Sequence, residues 1–417
     1  MILNETIKNT FIQLKSGIVP NGYKKGKIGI VCVEWNNVLF STLFENSCIY
    51  TDDLSKYPLY SLTIEDGIIE KPERYERSHL VKKNESYKVV YHNDFVYNPM
   101  NIRFGAVARY KGEKPVAVSG YYDVFRAVNE EDTYFMDSFL TYGAMLTYYN
   151  KVSTGSLIEK QRVHFSQFLE FALPLPSLSE RKKIAEILST QDKVIELKEK
   201  LIAEKQRQKK YLMQQLLTGK MRLKGFNGEW QKDKLGKLFE ERIETKCSNL
   251  ELLAITGMQG VIPRSQLDLK DNSSEDKSKY LKICVGDIGY NTMRMWQGVS
   301  AYSNYEGIVS PAYTILKPSK KINAKYFAYL FKIPAIVFLF YRFSQGLVDD
   351  TRNLKYDNFK RIIVNYPPNI EEQTAIAEIL STADQEIDLL QKELEQEKQK
   401  KKALMQLLLT GIVRVKI

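Results

Sequence analysis

Ile184-Ala185-Glu186-Ile187-Leu188-Ser189-Thr190 recurs letter for letter as Ile376-Ala377-Glu378-Ile379-Leu380-Ser381-Thr382. The offset of 192 residues holds without a gap until both copies reach Leu-Leu-Thr-Gly, which ends at Gly219 and at Gly411. A repeat with so long a period determines the architecture, because each copy forms a unit of its own. It predicts two similar halves, each closed by one long helix.

The repeat extends outside these helices as sparse, collinear matches. They are mainly Gly, Asn, aromatic and aliphatic residues, the types that turns and cores need, whereas most charged positions differ. The pattern indicates two copies of one scaffold that carry different surfaces. At an offset of 193 residues the matched pairs include Asn98 with Asn291, Met100 with Met293, Gly105 with Gly298, and Asp94 with Asp287.

The limits of the two helices can be read from their ends. In both copies a proline precedes a capping Ser or Asn, and a glutamate stands three residues after the cap. The cap side chain accepts a hydrogen bond from the first turn, and the glutamate is expected to reach back to the cap. About forty residues from cap to terminal glycine predict a rod about 60 Å long. The end signals are Pro176, Ser177 and Glu180, and Pro368, Asn369 and Glu372.

Apolar residues on both rods recur at heptad spacing between charged flanks. For a single helix, an ordinary buried face explains such a stripe equally well. Two equivalent rods favour packing against each other as an antiparallel coiled coil in a pseudo-twofold, cyclic molecule. The lysine runs 209–210 and 400–402 are expected to be solvated. The predicted coiled-coil residues are Leu188, Ile195, Ile202 and Leu212 in the first helix, and Leu380, Ile387, Leu394 and Leu404 in the second.

The regions outside the long helices predict a mixed α/β (α+β) fold. Residues 87–91, 116–119 and 313–316 are rich in β-branched and aromatic residues and predict strands. Aromatic-rich stretches at 134–149 and 326–343 predict helices. Residues 13–17 resemble 215–219, which predicts a short helical segment at the N-terminus. The expected division is a first domain at 1–176, a helical spacer at 177–224, a second domain at 225–368 and a second spacer at 369–417.

Composition favours a polyanionic partner without naming it. Lys and Arg number 61 against 50 Asp and Glu, a formal net charge of +11. The four cysteines are widely spaced, and with three histidines they form no zinc-ligand pattern. We therefore expect a reduced, cytoplasmic protein. The sequence has no apolar run of membrane-spanning length and no signal-peptide pattern, so we expect a soluble protein that does not enter a membrane.

The sequence contains no recognisable catalytic motif. The chain has no Gly-rich nucleotide loop. The amino-methyltransferase signature is missing too: Asn98-Pro99-Met100 lacks the second proline and the aromatic residue, and Tyr366-Pro367-Pro368-Asn369 has the wrong order. The residues predict no catalytic site and no metal site, and they favour a binding module. An enzyme of unrecognised type stays an alternative.

The order of domains and Pro-bounded helices resembles the specificity subunit of type I restriction-modification systems. The segments Val96-Tyr97-Asn98-Pro99-Met100 and Gly289-Tyr290-Asn291-Thr292-Met293 add to this resemblance. It implies a non-catalytic subunit in which each target recognition domain reads one half of a split sequence in double-stranded DNA. The helices would set the distance between the halves and dock two modification subunits. One departure is that the first helix carries more Lys and Arg than the second.

The resemblance places cofactors in partner subunits and none in this chain. Modification subunits methylate adenine with S-adenosylmethionine, and restriction subunits add cleavage that depends on ATP and Mg. The alternative from another class of function is a coiled-coil adaptor that does not bind DNA.

Variable positions beside the repeated turns are candidates for DNA contact, and each could instead be an ordinary surface or intradomain residue. The candidates are Lys83, Arg103, Arg109, Arg264, Arg294, Trp296, Arg342 and Gln345.

Overall fold

A computed structural model describes residues 16–71, 87–157, 160–257, 259–267 and 276–416, together with residues 5, 9, 10, 12 and 13. The chain divides into two compact units, Met1–Leu197 with Leu394–Ile417, and Lys198–Glu393. Each unit therefore contains parts of both long helices. The predicted N-terminal helical segment lies mostly outside the described residues, although Gly17 has φ +78°, close to the +71° of Gly219.

The first unit combines short antiparallel strands with helices. One sheet has the order β10-β9-β12-β4, and a second has the order β11-β8-β5. The helices are α1 (Thr133–Leu140), α2 (Gly143–Val152), α3 (Phe165–Leu169) and the start of α4 (Leu178–Leu216). The strands are β1 (Tyr23–Gly26), β2 (Gly29–Cys32), β3 (Asn36–Leu39), β4 (Phe44–Asn46), β5 (Tyr50–Thr51), β6 (Tyr60–Thr63), β7 (Gly67–Glu70), β8 (Tyr87–Val90), β9 (Phe95–Tyr97), β10 (Val107–Arg109), β11 (Val116–Ser119), β12 (Asp123–Ala127) and β13 (Ala172–Leu175).

The second unit repeats this topology. Its main sheet has the order β20-β19-β22-β15, which matches β10-β9-β12-β4 strand for strand. The strands are β14 (Gln231–Lys234), β15 (Phe239–Glu241), β16 (Leu253–Thr256), β17 (Gly260–Pro263), β18 (Leu281–Ile283), β19 (Ile288–Asn291), β20 (Ser300–Tyr302), β21 (Gly307–Val309), β22 (Tyr313–Pro318) and β23 (Ile363–Tyr366). The helices are α5 (Leu235–Leu238), α6 (Ala324–Leu330), α7 (Pro334–Phe343), α8 (Tyr356–Phe359) and α9 (Ile370–Leu408). The mixed α+β fold and the duplicated scaffold are confirmed.

The ends of the long helices belong to the core of each unit. Gly411, with φ +73°, lies so close to Trp35 that a Cβ there would come within 3.1 Å of the indole. Gly219, with φ +71°, lies against Trp230 in the same way, at 3.2 Å. Leu408 and Leu409 are buried in the first core, and the equivalent leucines of the first helix are buried in the second. The repeated Leu-Leu-Thr-Gly therefore docks a helix end onto a tryptophan.

One repeated charged residue has a structural role in both units. Asp94 accepts a hydrogen bond of 2.9 Å from Tyr91 N and pairs with Arg126 at 3.2 Å. Asp287 accepts one of 2.8 Å from Cys284 N and pairs with an arginine, Arg242, at 2.7 Å. Each aspartate closes the turn that leads into the central strand, because its carboxylate satisfies a backbone amide there. This explains why the residue is present in both copies.

The short strands were predicted at the right places, and the shorter helices only in part. Residues 87–91, 116–119 and 313–316 fall on β8, β11 and β22. The stretches 134–149 and 326–343 are helical as predicted, and each is divided into two helices, α1 with α2 and α6 with α7. In the second unit Pro334 stands in the first turn of α7. Because proline lacks the N–H that would continue the preceding helix, it starts a new one.

The two long helices run antiparallel within each unit. In the first unit Gln191 Nε2 donates to Glu397 Oε2 at 2.7 Å. In the second unit Lys198 pairs with Glu393 at 2.6 Å, and Lys205, further along α4, pairs with the earlier Glu386. The predicted caps are present, since the amides of Glu180 and Glu372 bond to the Ser177 and Asn369 side chains.

The lysine runs on the long helices are not merely solvated. Lys401 pairs with Asp192 at 2.5 Å in the first unit, and Lys209 pairs with Asp384 in the second. The prediction was wrong at these two positions because each lysine reaches across to the other helix. The eight predicted coiled-coil residues are buried or half-buried, with Leu380 fully buried.

No helix within the described ranges is long and apolar enough to cross a membrane by itself. Helices α6 and α7 reach that length and composition only as a pair bent by 83°.

Candidate nucleic-acid interface

The central strand of the second unit runs into a tight turn. β19 ends at Asn291, whose Oδ1 accepts a hydrogen bond of 3.0 Å from Met293 N. A short 3₁₀ turn, Met295–Gln297, follows, and Gly298 ends it with φ +81°. A residue with a side chain is strained at this φ, which explains the glycine. The turn thus has a fixed backbone, whereas Arg294 and Trp296 within it differ from Asn101 and Arg103, the residues at their repeat positions.

The first unit contains the same turn. Met100 N donates to Asn98 Oδ1 at 3.0 Å, the 3₁₀ segment is Ile102–Phe104, and Gly105 closes it with φ +103°. Asn and Gly therefore match between the copies because the Asn side chain accepts a backbone hydrogen bond in the turn and the Gly takes its positive φ. The residues between them differ, and Arg103 stands at the repeat position of Trp296.

In the second unit this turn presents a cation and an aromatic ring. Arg294 is exposed, and Trp296 is half-buried with its Nε1 donating to Met293 O at 3.0 Å. The indole lies against α7, with its ring centre 6.2 Å from that of Tyr341. Arg342 is exposed in the last turn of the same helix. The structure therefore brings three of the predicted contact residues to one region of the second unit.

The first-unit candidates are more deeply engaged within their domain. Arg103 is buried, donates to Gln161 Oε1 at 2.9 Å and has its guanidinium 4.5 Å from the centre of the Phe104 ring. Arg109 pairs with Asp137 at 3.1 Å and donates to Asn93 Oδ1 at 2.8 Å. Each arginine thus forms hydrogen bonds within its own domain, and a role in DNA contact stays a prediction for both.

The remaining candidates lie at scattered places. Arg264 opens the 3₁₀ turn after β17 and is half-buried, and Gln345 is exposed just beyond α7. Lys83 lies outside the described residues. Their contact with DNA also stays a prediction.

A half-buried lysine stabilises the end of the second-unit turn. Lys332 Nζ donates to Gly298 O at 2.7 Å and to Ser300 O at 2.5 Å. Burial, and to a lesser extent the charge of Lys209, lowers the pKa of Lys332 to about 8. Burial of the ammonium costs stability, and the two carbonyl bonds offset part of that cost. The lysine joins the end of the turn to the segment between α6 and α7, and sequence reasoning had not singled it out.

This lysine predicts a pH dependence of stability. Its pKa is lower in the folded chain than the unfolded value of about 10.4, so between these values the unfolded chain holds the extra proton and stability rises with pH. The rise that this group contributes is on the order of 2–3 kcal/mol and is complete near pH 10.5. We expect Lys332→Met to remove it, as measured by urea unfolding of both proteins from pH 7.5 to 10. A stability difference that does not change with pH would contradict the assignment.

Sequence reasoning also missed two ion pairs, in each of which a buried glutamate at the start of one long helix meets a partly exposed arginine that follows the other. Arg414 Nε and Nη2 bond to the two carboxylate oxygens of Glu180 at 2.6 and 2.9 Å. Arg222 bonds to Glu372 in the same bidentate way, at 2.7 and 2.8 Å. The glutamates were expected to reach back to their caps, and this was wrong because the arginines hold them instead. The 192-residue offset that relates the two pairs was the available signal.

Within the described ranges, no group of three or more His, Cys, Asp or Glu side chains is placed to hold a metal ion.

Comparison with known proteins gives consistent matches. The family model "Type I restriction modification DNA specificity domain" matches residues 46–206 and 227–399. Two relatives from Methanocaldococcus jannaschii, the predicted MjaX and the MjaVIII type I restriction enzyme specificity subunits, are each 30% identical, over 62% and 60% of this chain. These matches span 63% and 64% of the relatives' own lengths. The fold is similar to that of a type I restriction-modification S subunit from M. genitalium, with TM-score 0.55, 14% identity, and coverage of 90% of this chain and 96% of that one.

Proposed function

This chain belongs to the type I restriction-modification DNA specificity family, and from that premise we propose that it is the non-catalytic subunit that recognises the DNA target. Each domain would read one half of a bipartite sequence in double-stranded DNA. The paired helices would fix the spacing of the halves and dock the modification subunits.

The observation that best supports this proposal is the duplicated turn with exchanged side chains. A protein that recognises two different half-sites can use the same scaffold in both domains and a few side chains that differ between them. The turns at Asn98 and Asn291 share their backbone, while Arg103 in one stands at the repeat position of Trp296 in the other. An adaptor without DNA binding gives no reason for this pattern.

Charge supports the same proposal. The chain carries a formal net charge of +11, and Arg294 and Arg342 are exposed beside the second-unit turn. Cations that neutralise phosphates supply affinity that weakens as salt rises. Base contacts from neighbouring side chains then add sequence selectivity. We propose that Arg294, Trp296, Arg342 and Gln345 contact the second half-site, with Lys83, Arg103, Arg109 and Arg264 kept as weaker candidates.

Partners would supply the chemistry. We propose two modification subunits that transfer methyl groups from S-adenosylmethionine to adenine, and restriction subunits that use ATP and Mg, all acting with this chain in the cytoplasm. We place the recognition domains at residues 1–176 and 225–368, and the helical spacers at 177–224 and 369–417.

Exchanging one domain is expected to change one half of the target. The replaced segment runs from Asn36 to Leu175, because β3 pairs with β13 and both must come from the donor. Trp35 and Arg414 lie outside this segment and stay native. The chimera, co-expressed with a modification subunit, is assayed by mapping methylated adenines across a genome. We expect a new sequence in one half-site and an unchanged sequence in the other.

Two further results bear on the proposal. Changes in both halves would contradict independent reading by the domains. If the isolated chain transfers methyl groups from labelled S-adenosylmethionine to DNA, and mutation of this chain abolishes the transfer, the chain is itself an enzyme. If the complex shows no salt-dependent, sequence-selective binding of duplex DNA, the adaptor is the better description.

A further inference from the structure

A closed loop with an apolar tip follows α7 in the second unit. Residues 345–353 form it, and two backbone hydrogen bonds between Gln345 and Asn353, of 2.9 and 2.7 Å, join its ends. Leu347 at the tip is 99% exposed, and the next residue, Val348, is 60% exposed. A leucine in this position contributes nothing to the core.

The first unit closes a loop at the equivalent place, of which residues 154–157 and 160–162 are described. Thr154 and Arg162 join its ends through two backbone hydrogen bonds of 2.9 Å. At an offset of 191 residues, Leu157 takes the place of Val348, and it is 56% exposed. The loop sequences otherwise differ almost completely. An apolar tip is therefore present in both copies although neither fold requires it.

A glycine permits the loop to close so tightly. Gly346 has φ +135°, and a Cβ there would come within 2.6 Å of Thr351 O. Gly155 has φ +148°, and its Cβ would come within 3.0 Å of Lys160 O. No other residue fits these positions without displacing backbone. In both units a loop thus closes around a glycine, although the other loop residues differ.

The second-unit loop is also held rigid. Thr351 Oγ1 donates to Val348 O at 2.9 Å. Arg352 donates to Asp349 at 2.8 Å and to Tyr341 Oη at 2.8 Å, with its guanidinium 3.9 Å from the centre of the tyrosine ring. A tip that is already ordered loses little conformational entropy when it binds.

The surroundings of the tip favour a polyanion. Arg294 and Arg342 are exposed nearby in the second unit, and Asp349 is paired with Arg352. Residues 341–356 contain three Lys or Arg residues and two Asp residues. Residues 150–164 contain three Lys or Arg residues and one Glu. The loops thus keep a positive balance although their charged residues stand at different positions.

We propose that these loops insert their apolar tips, Leu347 with Val348 and Leu157, against the bases of the DNA target. The inference rests on the proposed function and adds residues to it. Apolar side chains read thymine methyl groups and can enter between base steps, and cations beside them bind the phosphates. A protein partner fits less well, since a specific protein interface buries about 800 Å² on each side and these tips are two narrow projections.

The test compares matched single substitutions in the complex with modification subunits. Leu347→Ala removes the second-unit tip, Leu157→Ala removes the first-unit tip, and Ile243→Ala removes a leucine-sized side chain that is 73% exposed elsewhere in the second unit. The probe is a duplex that carries the target found by methylation mapping, together with duplexes that have one base pair changed in either half. Competition binding at fixed salt gives the affinity for each duplex.

Leu347→Ala is expected to weaken binding of the target about ten- to thirty-fold and to relax discrimination in one half-site only. Leu157→Ala relaxes the other half, whereas Ile243→Ala and the conservative Leu347→Met leave both intact. Wild-type affinity and discrimination in both alanine variants would overturn the inference while leaving the proposed function in place. Loss of the modification subunit, with DNA binding unchanged, would overturn it in favour of a protein contact. A wild-type complex that does not discriminate its target would instead refute the proposed function.

Discussion

Replacing Arg414 with alanine is expected to lower the free energy of unfolding of the first unit by about 3–5 kcal/mol, because it leaves a carboxylate buried without its partner. The Glu180 side chain is 1% exposed, and Arg414 satisfies both of its oxygens. The hydrogen bonds that Arg414 donates to Glu180 raise the pKa of the guanidinium, so it is charged at every accessible pH. The interaction joins the C-terminal segment to the start of α4.

The effect can be assigned to the first unit by hydrogen exchange in increasing urea. Peptides around Trp35 and at the start of α4 are expected to lose protection at lower urea in Arg414→Ala. Lys183→Ala is the matched control, since Lys183 forms an exposed pair with Glu186, and such pairs contribute at most about 1 kcal/mol. Equal losses in the two variants would contradict the argument.

A double substitution distinguishes the cost of an unpaired buried charge from the cost of lost packing. Removing both charges with Glu180→Leu and Arg414→Met is expected to recover most of the stability, because no buried charge is then left alone. Arg222→Ala should have the same effect on the second unit, since Arg222 holds Glu372 by the same geometry. If the double variant is as unstable as Arg414→Ala, the cost arises from lost packing and not from the carboxylate.

Local signals in the sequence predicted the long helices well. The caps and the terminal glycines are features of neighbouring residues, and α4 and α9 begin two residues after Pro176 and Pro368. The repeat predicted the duplicated scaffold because the residues that match between the copies stand mainly at turn and core positions. The topology restricts the residue types at these positions. Pro334 shows the limit of pattern reading, since one residue divided the aromatic-rich stretch into α6 and α7.

Interactions between distant residues were not predictable in the same way. Arg222 and Glu372 are 150 residues apart, and nothing near either residue indicates the other. Arg103 was chosen because it follows Asn98, yet its side chain donates to Gln161, 58 positions further along the chain, which nothing next to Arg103 indicates. The sequence therefore predicted where the turns of the candidate site lie. It predicted less well which side chains are exposed on them.

A four-residue insertion between Leu201 and Ile202 is expected to lengthen the spacer of the DNA target while leaving both half-sites unchanged. It adds about 6 Å to α4 and rotates the remainder of that helix by roughly 40°. In B-DNA about 34 Å corresponds to 10–10.5 base pairs, so the spacer should grow by about one or two base pairs. The readout is the methylated motif of the variant with its modification subunits.

The contacts between the helices show how to make this test sharper. Lys198 pairs with Glu393 on one side of the insertion, and Lys205 with Glu386 on the other, so a single insertion places the two pairs out of register. A second four-residue insertion between Leu390 and Gln391 stands opposite the first and restores both pairs around a longer coil. We therefore expect the double insertion to bind and methylate better than the single one, with the same lengthened spacer. An unchanged spacer at full activity in the double variant would mean that the helices do not set the spacing, because a flexible connection absorbs added length whereas a paired helix transmits it.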